Sequence, residues 1–222
     1  MLCRKQLIRL IFSENQHDGV LITFTGLDGS GKTTQIDLLA KALADYGITV
    51  IVTKQPSDAM RNSHIFRAFH DNEDTANLEY RALSLLAVSD RILHSEMHIK
   101  PSLDKKCVVI CDRYYYCALA NLRARGYRDD QWIYEISKYL PKPDLSVILD
   151  VEVDTAIDRI RQRELERNKW IDKDFYNKLS EEYRNLRSVS DSVFFDNQKS
   201  IDDIHKVILN LSNELIKRKL ER

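Results

Sequence analysis

The stretch Gly26-Leu27-Asp28-Gly29-Ser30-Gly31-Lys32-Thr33-Thr34 follows the phosphate-binding loop pattern, in which a glycine and four further residues precede Gly-Lys-Thr. Small glycines let consecutive backbone N–H groups wrap around a phosphate, and the helix that follows adds the positive end of its dipole. In this pattern Lys32 reaches the β- and γ-phosphates of a nucleoside triphosphate, and Thr33 offers its hydroxyl to Mg²⁺. All nine residues are therefore predicted to bind ATP.

The residues on either side of this loop have the patterns that it requires. Val20-Leu21-Ile22-Thr23-Phe24-Thr25 is a β-rich run directly before it, and Gln35 to Tyr46 carries apolar residues at helical spacing until Gly47. Ile48 to Thr53 is a second β-branched run, which Pro56 ends. Strand, loop, helix and strand of this length predict a βαβ unit with parallel strands. The alternative, a glycine-rich turn with a surface lysine, is disfavoured by this context.

The composition is that of an ordinary globular protein. The 222 residues are 43% hydrophobic and 31% charged, and 34 Lys and Arg balance 34 Asp and Glu. Nucleic-acid-binding proteins usually carry a basic excess, so this balance predicts no nucleic-acid partner. No apolar run approaches the length of a membrane span, which predicts no membrane partner. The four cysteines lack the spacing of a zinc site and predict buried, reduced thiols in a cytoplasmic protein.

Three later runs complete the predicted sheet. Cys107 to Cys111 and Leu145 to Val151 are nearly all apolar, as in strands that are buried on both faces, and Val193 to Phe195 is a short fifth candidate. Ile201 to Leu220 predicts a closing amphipathic helix. The sequence therefore predicts an α/β protein with a parallel sheet of about five strands and helices on both faces.

Residues 1–18 precede the first strand and are interpreted as an N-terminal extension, with residues 19–222 as one domain. The first twelve residues mix apolar side chains with Arg4, Lys5 and Arg9. They contain no secretory core or cleavage site, although a basic organelle-targeting segment is one interpretation. A short extra helix packed on the domain is the favoured one.

An acidic residue ends the third predicted strand. Asp112 directly follows Cys111. In open parallel sheets the ligand binds at the carboxyl ends of the strands, and an aspartate beside a phosphate-binding loop lies close to Mg²⁺. Asp112 is therefore a predicted Mg²⁺ ligand, together with Thr33.

Two groups of arginines have open interpretations when pattern alone is considered. The segment from Ser57 to Pro101 is helical in pattern and too long for one ordinary helix, and Arg91 within it is predicted to lie on a solvated face. Arg159, Arg161 and Arg163 follow the fourth predicted strand on a helix. They form either a solvated surface interleaved with glutamates or a lid that brings guanidinium groups to phosphates, and pattern favours the surface.

The chain resembles the thymidylate kinase family of nucleoside monophosphate kinases from about Val20 to Leu186. Four motifs carry the resemblance: the phosphate-binding loop, Asp90-Arg91 with His94 for the family's Asp-Arg-x-x-His, Asp112-Arg113-Tyr114 for its Asp-Arg-Tyr, and Pro143-Asp144-Leu145 before Leu149-Asp150-Val151 for its fourth strand. Together they are far more specific than any one of them.

This resemblance implies Mg²⁺-dependent transfer of the γ-phosphoryl group of ATP, the co-substrate, to a nucleoside monophosphate, with dTMP as the leading acceptor. Lys32 would hold the ATP phosphates, and Asp28 would lie where Mg²⁺ and the acceptor phosphate meet. The residues that would bind the acceptor are Arg91, Arg113, Tyr114 and Lys54.

Gly29 occupies the loop position where one branch of the family carries an arginine. Its presence fits the branch that places catalytic arginines in a lid, here about residues 159–173. The resemblance therefore reverses the interpretation of Arg159, Arg161 and Arg163, which would close over the transferring phosphoryl group. The family is often dimeric, so a homodimer through the apolar helix around Leu83 to Met97 is a further interpretation, although such a stripe is more often core.

Departures from the family lie where the base is read. Ala87 stands four residues before Arg91, where the family usually has a phenylalanine that stacks on thymine, and Asn121 and Leu122 replace a tyrosine and a glutamine. One alternative is therefore the same scaffold acting on a different nucleoside monophosphate or a specialised acceptor. The second is a nucleotide-binding module without catalysis.

Overall fold

The computed structural model describes residues 9–71, 79–167, 170–196 and 199–220. Five parallel strands form one sheet within them: β1 (Val20–Gly26), β2 (Val50–Lys54), β3 (Val108–Asp112), β4 (Leu145–Asp150) and β5 (Val193–Asp196). Their order across the sheet is β2-β3-β1-β4-β5, and every neighbouring pair is parallel. The predicted fold class is confirmed.

Helices connect the strands. The α-helices of the described residues are α1 (Lys32–Asp45), α2 (Asp58–Arg61), α3 (His64–Asp71), α4 (Tyr80–His94), α5 (Lys100–Asp104), α6 (Tyr115–Ala124), α7 (Trp132–Glu135), α8 (Val153–Arg161), α9 (Lys173–Asn185) and α10 (Ile201–Leu220). A π-helical segment, Ser95–Ile99, joins α4 to α5, and 3₁₀ turns span Ile136–Tyr139, Glu164–Glu166 and Leu186–Ser188.

The two faces of the sheet are covered by separate apolar cores. On one face Ile22 and Phe24 of β1 pack with residues of α1 and α10, including Leu39 and Ile208. On the other face the core includes residues of α4, α6 and α9, such as Leu119. Because β1 lies at the centre of the sheet, all seven of its residues are buried. This double burial is why the central strands β1, β3 and β4 have nearly continuous apolar runs rather than alternating ones.

The strand register places the site. Phe24 of β1 and Lys54 of β2 both pair with Asp112 of β3, so these strands end at one level. The connection that leaves β1 leads to one side of it, where β2 and β3 lie, whereas the connection that leaves β3 leads to the other side, where β4 lies. The loop that follows Gly26 opens at this switch point, which is where parallel sheets bind ligands.

The described part of the N-terminal extension differs from the expected helix. Residues 9–18 are not helical; Ser13 forms an isolated parallel bridge with Pro141, and the Lys142 amide donates to the Ser13 carbonyl at 2.7 Å. An extended chain satisfies these backbone groups and lets Leu10 and Phe12 pack against the core. Residues 1–8 lie outside the described residues, as does Leu78 of the long helical pattern.

The predicted burial of the cysteines is confirmed for those that the structure describes. Cys107, Cys111 and Cys117 are buried free thiols, while Cys3 lies outside the described residues. Of the helices in the described ranges, none combines the length and apolar character that crossing a membrane requires.

Candidate active site

The phosphate-binding loop follows β1 and is fixed by close contact with α8. Gly29 has φ +82°, and a Cβ atom added there would lie 2.4 Å from the Ala156 carbonyl oxygen of α8. A side chain at this position would push α8 away from the loop. Glycine at position 29 therefore allows the helix that carries Arg159 and Arg161 to approach the loop backbone.

Lys32 begins α1 and is almost completely buried. Its Nζ donates to the carbonyl oxygens of Gly26 at 3.1 Å and Leu27 at 2.6 Å. An ammonium group has three N–H donors, so these described acceptors use two of them. Burial, and then the charge of Arg113, lowers the pKa of Lys32 to about 8. The ammonium group is thus held beside the loop with a donor left for an anion.

Asp112 and Thr33 line one cavity of about 420 Å³, together with Lys54. The Lys54 Nζ lies 3.7 Å from Asp112 Oδ2, while Asp112 Oδ1 is buried and has no hydrogen-bond partner among the described residues. A carboxylate and a hydroxyl oxygen are ligands that Mg²⁺ accepts. In the described ranges no group of three His, Cys, Asp or Glu could hold a metal. These donors fit Mg²⁺ of the kind that is bound by one or two protein ligands plus substrate phosphates.

Asp28 and Arg113 form an ion pair beside the loop. The Arg113 Nη2 donates to Asp28 Oδ1, and Arg113 itself has a left-handed backbone conformation with φ +67°. Its amide donates to the Phe24 carbonyl at 2.8 Å, which anchors the turn that follows β3. Burial lowers the pKa of Arg113, but the combined effect of the surrounding groups, Asp28 first and then Cys117, Tyr183 and Asp112, outweighs it, and the pKa lies well above its ordinary value. The Asp28 carboxylate thus lies against the Arg113 guanidinium.

Arg91 of α4 is 4% exposed, so the solvated position predicted from the pattern alone is wrong. Its Nη1 donates to the Ala87 carbonyl at 2.8 Å, and its Nε is buried with no hydrogen-bond partner among the described residues. Burial lowers the pKa of Arg91. A buried guanidinium that is incompletely paired is what a binding site for an anion or a polar ligand requires.

Tyr114 does not reach this site, which corrects the expectation that it contacts the acceptor. Its side chain is fully buried, its hydroxyl donates to the Pro141 carbonyl at 2.8 Å, and its ring stacks on Phe12 with centroids 6.0 Å apart. Lys54, another residue predicted to bind the acceptor, lines the cavity described above together with Asp112.

The three predicted lid arginines occupy different environments. The Arg159 Nη1 donates to the Gly29 carbonyl of the loop at 3.2 Å. Arg163 is exposed and pairs with Glu166 at 2.9 Å, and Arg161 is also exposed. Of these three, Arg159 is therefore the one that contacts the loop. Residues 168 and 169 of the predicted lid lie outside the described residues.

Two residues that the sequence did not point to lie close to the charged groups. Arg61, at the end of α2, donates from Nε to the Pro56 carbonyl at 2.8 Å. Tyr176 of α9 is partly buried, and burial, followed by the charge of Asp28, raises its pKa. Neither belongs to a motif, and each reaches the site through the packing of a separate helix. Their position could not be deduced from periodicity.

Leu122 and Asn121, which replace the side chains with which the family contacts the base, differ in burial. Leu122 is fully buried in the core. Asn121 is half-buried; its Nδ2 donates to the Cys117 carbonyl at 2.9 Å, and its Oδ1 accepts from Arg125 at 3.1 Å. The Arg125 guanidinium also lies 4.0 Å from the ring centre of Tyr80 and 3.9 Å from that of Phe175. Asn121 is thus held by its neighbours in α6.

Comparison with known proteins identifies relatives across most of the chain. The profile of the family described as thymidylate kinase matches residues 24–208. A probable thymidylate kinase of Pyrococcus horikoshii is 37% identical over 205 residues, which cover 87% of this chain and 95% of the relative. Probable thymidylate kinases of Thermococcus gammatolerans and Methanocaldococcus jannaschii are 35% and 33% identical over 210 and 193 residues, covering 89% and 86% of this chain and 98% and 95% of the relatives.

Proposed function

Because the chain belongs to the thymidylate kinase family, we propose that it transfers the γ-phosphoryl group of ATP to dTMP, forming dTDP and ADP. One observation carries the proposal. Asp28 of the phosphate-binding loop pairs with Arg113, which follows β3, so a triphosphate site and a cationic acceptor site meet at the carboxyl ends of the strands. Transfer between two phosphates requires such a meeting point.

On the donor side, the loop amides and the Lys32 ammonium group would hold the ATP phosphates. The two loop carbonyls already orient the Lys32 Nζ, so its third N–H can reach a phosphate oxygen without reorganising the helix. Mg²⁺ would be held by Thr33 and Asp112, near Asp28, and would supply charge neutralisation between the phosphates.

On the acceptor side, Arg91 and Arg113 would bind the monophosphate. The attacking group is an anionic phosphate oxygen, so the site needs no strong general base; its task is to bring two anions together. Asp28 occupies one amino group of the Arg113 fork and thereby fixes its orientation, while the remaining donors can bind phosphate oxygens. The half-buried Ala87 and Asn121 would border the base.

An ADP-release assay with Mg-ATP tests the proposed function. The acceptors are dTMP, dUMP, dCMP, dGMP, dAMP and thymidine, and ATP without acceptor is the control. We expect the highest kcat/KM with dTMP. Turnover of thymidine without turnover of dTMP would instead indicate a nucleoside kinase. No ADP release with any acceptor, while ATP still binds, would indicate a nucleotide-binding module.

We propose that Arg159 is the lid arginine with the largest share in the chemical step, since its guanidinium already contacts the loop at Gly29. Arg159→Gln is expected to lower kcat by about 10²-fold with little change in either KM, because the charge acts mainly on the transferring group. Arg163→Gln should have a smaller effect, because Glu166 competes for its guanidinium. Lys178→Gln, an exposed charge change on α9, is the control. Equal losses of kcat for Arg159→Gln and Arg163→Gln would contradict this ranking.

We also propose that two copies of the chain associate through α4 and the π-helical segment. Leu86, Leu93 and Met97 are 42%, 58% and 60% exposed, and their spacing of seven and four residues places them along one helix face. In an isologous contact the stripe of one copy would be buried against the same stripe of the other copy. Leu93→Glu should therefore halve the mass measured by size-exclusion chromatography with light scattering. Val207→Glu, at an apolar position of α10 that is 46% exposed, should leave the mass unchanged. A wild-type protein that is monomeric at high concentration would refute the dimer.

A further inference from the structure

The segment 123–128, at the end of α6 and just after it, is tied to α9 by a buried carboxylate. Arg123 Nε lies 2.7 Å from Glu182 Oε2, and the Arg128 Nη2 donates to Glu182 Oε1 at 2.5 Å. Glu182 is 1% exposed, and a carboxylate as deeply buried as this one requires such partners. The middle of α9 is therefore anchored to the end of α6 by these two arginines.

A third arginine of the same segment, Arg125, joins α6 to two further helices. Its guanidinium carbon lies 4.0 Å from the ring centre of Tyr80, the first residue of α4, and 3.9 Å from that of Phe175, in the first turn of α9. Its Nη1 donates to Asn121 Oδ1 at 3.1 Å, one turn earlier in α6. Although Arg125 is an exposed residue, its planar group can stack on rings while its nitrogens form hydrogen bonds. Residues of α4, α6 and α9 therefore meet at one side chain.

Two of these helices carry the residues of the proposed acceptor site. α4 begins at Tyr80 and carries Arg91 about three turns later. α6 begins shortly after Arg113 and ends directly before Arg125. The contacts of Arg125 thus lie at the ends of α4 and α6 that point away from the two arginines proposed to bind the phosphate. The base of an acceptor would extend toward this end, past Asn121.

The side chain at position 87 makes the spacing of these helices important. Ala87 is half-buried and presents only a methyl group, one turn before Arg91. A base that lies beside it cannot be held by stacking on a large ring at that position. Its binding depends instead on how closely the surrounding walls are held, and walls that are fixed in advance cost less to order when the ligand binds.

We propose that Arg125 is a positioning residue of the acceptor site, which sets the width of the base end by holding Tyr80 and Phe175 at fixed distances from Asn121. It acts through these neighbours and contacts no acceptor atom. The proposal rests on the proposed function, because it takes a nucleoside monophosphate as the acceptor. The ADP-release assay of the wild type tests that function, whereas the role of Arg125 is tested by binding without ATP, with dTMP or with whichever monophosphate that assay selects.

A comparison of two ligands tests this role. Calorimetry with the full chain measures the affinity for the monophosphate and for the sugar phosphate that lacks its base, which is 2-deoxyribose 5-phosphate for dTMP. Arg125→Met, which keeps the length but loses the charge and the planar group, is expected to weaken monophosphate binding about fivefold and sugar phosphate binding less than about twofold. Arg125→Lys, which keeps the charge alone, should be intermediate.

Arg187→Met is the matched control. Arg187 is also exposed, and its guanidinium carbon lies 4.7 Å from the ring centre of Phe194 in β5, at the other edge of the sheet from β2. This variant therefore removes a contact of the same kind away from the acceptor site. It should bind both ligands as wild type does.

A role of Arg125 in stability alone has a different outcome. Arg125→Met would then lower the melting temperature and change the affinity for both ligands by the same factor. That result would overturn the proposal, as would wild-type affinity for the monophosphate. If Arg125→Met fails to fold, a pair of variants at Tyr80 decides the question. Tyr80→Phe keeps the ring and should bind as wild type does, whereas Tyr80→Leu must weaken binding of the monophosphate and not of the sugar phosphate.

Discussion

Replacing Lys32 with alanine is expected to lower kcat with Mg-ATP and dTMP by about 10²- to 10³-fold. The reason is geometric: the Lys32 ammonium group is held against the loop by the carbonyls of Gly26 and Leu27, so it meets the donor phosphates without reorganisation. Water that takes its place in the variant would have to reorient during the reaction. The ADP-release assay measures the loss.

The fold should survive this change. Burial lowers the pKa of Lys32 to about 8, which means that the folded protein holds its charged form at a disadvantage. Removing the ammonium group relieves that disadvantage as it removes two hydrogen bonds, so we expect an unchanged circular dichroism spectrum. Lys41→Ala, at an exposed position of the same helix, is the control and should keep full activity. Near-normal turnover of Lys32→Ala would contradict the proposed role of the loop in phosphoryl transfer.

The lowered pKa also gives this prediction a pH dependence. In the free enzyme Lys32 is protonated below about pH 8 and loses its proton above that value. The charged form binds the ATP phosphates, so kcat/KM for ATP should fall as the pH rises above about 8, because this ratio reports on the free enzyme. In Lys32→Ala the fall should be absent from the residual activity. A fall of equal size in the variant would assign it to another group.

The strands and the loop could be predicted because their signals are local. Each strand is a short, largely apolar run, and the predicted strand ends lie within about two residues of those in the structure, as for β5. The predicted bounds of α10 coincide with the observed ones. The lid interpretation also depended on a local feature, Gly29, whose lack of a side chain admits α8. Local sequence determines what the backbone can do at such positions.

Other side chains could not be placed because their positions depend on packing between distant segments. Arg91 is a charged residue in the helical pattern of α4, yet it is buried, because α4 packs against α6. Tyr114 belongs to the same motif as Arg113, but its hydroxyl donates to the Pro141 carbonyl in the core. The Ser57 amide, just before α2, donates to Asp90 of α4. Such contacts link residues that are tens of positions apart, and no spacing rule reports them.

The second large effect is expected for Arg113→Gln, which should weaken dTMP binding by about 10²-fold. Two losses contribute. The phosphate loses a fork of charge-assisted donors, and Asp28 loses the Arg113 guanidinium, so its negative charge repels the incoming dianion more strongly. Calorimetry without ATP measures binding alone. Lys219→Gln breaks an ion pair of 2.8 Å with Asp144 at the opposite end of the sheet and should bind dTMP as wild type does.

A double variant separates the two losses. In Arg113→Gln combined with Asp28→Asn the negative charge at position 28 is gone, so dTMP should bind more tightly than to Arg113→Gln alone, although less tightly than to wild type. Turnover is not the readout here, because Asp28 is also placed near Mg²⁺ in the proposed mechanism. Binding losses that multiply, with the double variant weaker than either single one, would show that Asp28 and Arg113 act independently on the acceptor. The expected partial recovery would instead assign Asp28 the task of holding Arg113 in place until the acceptor phosphate arrives.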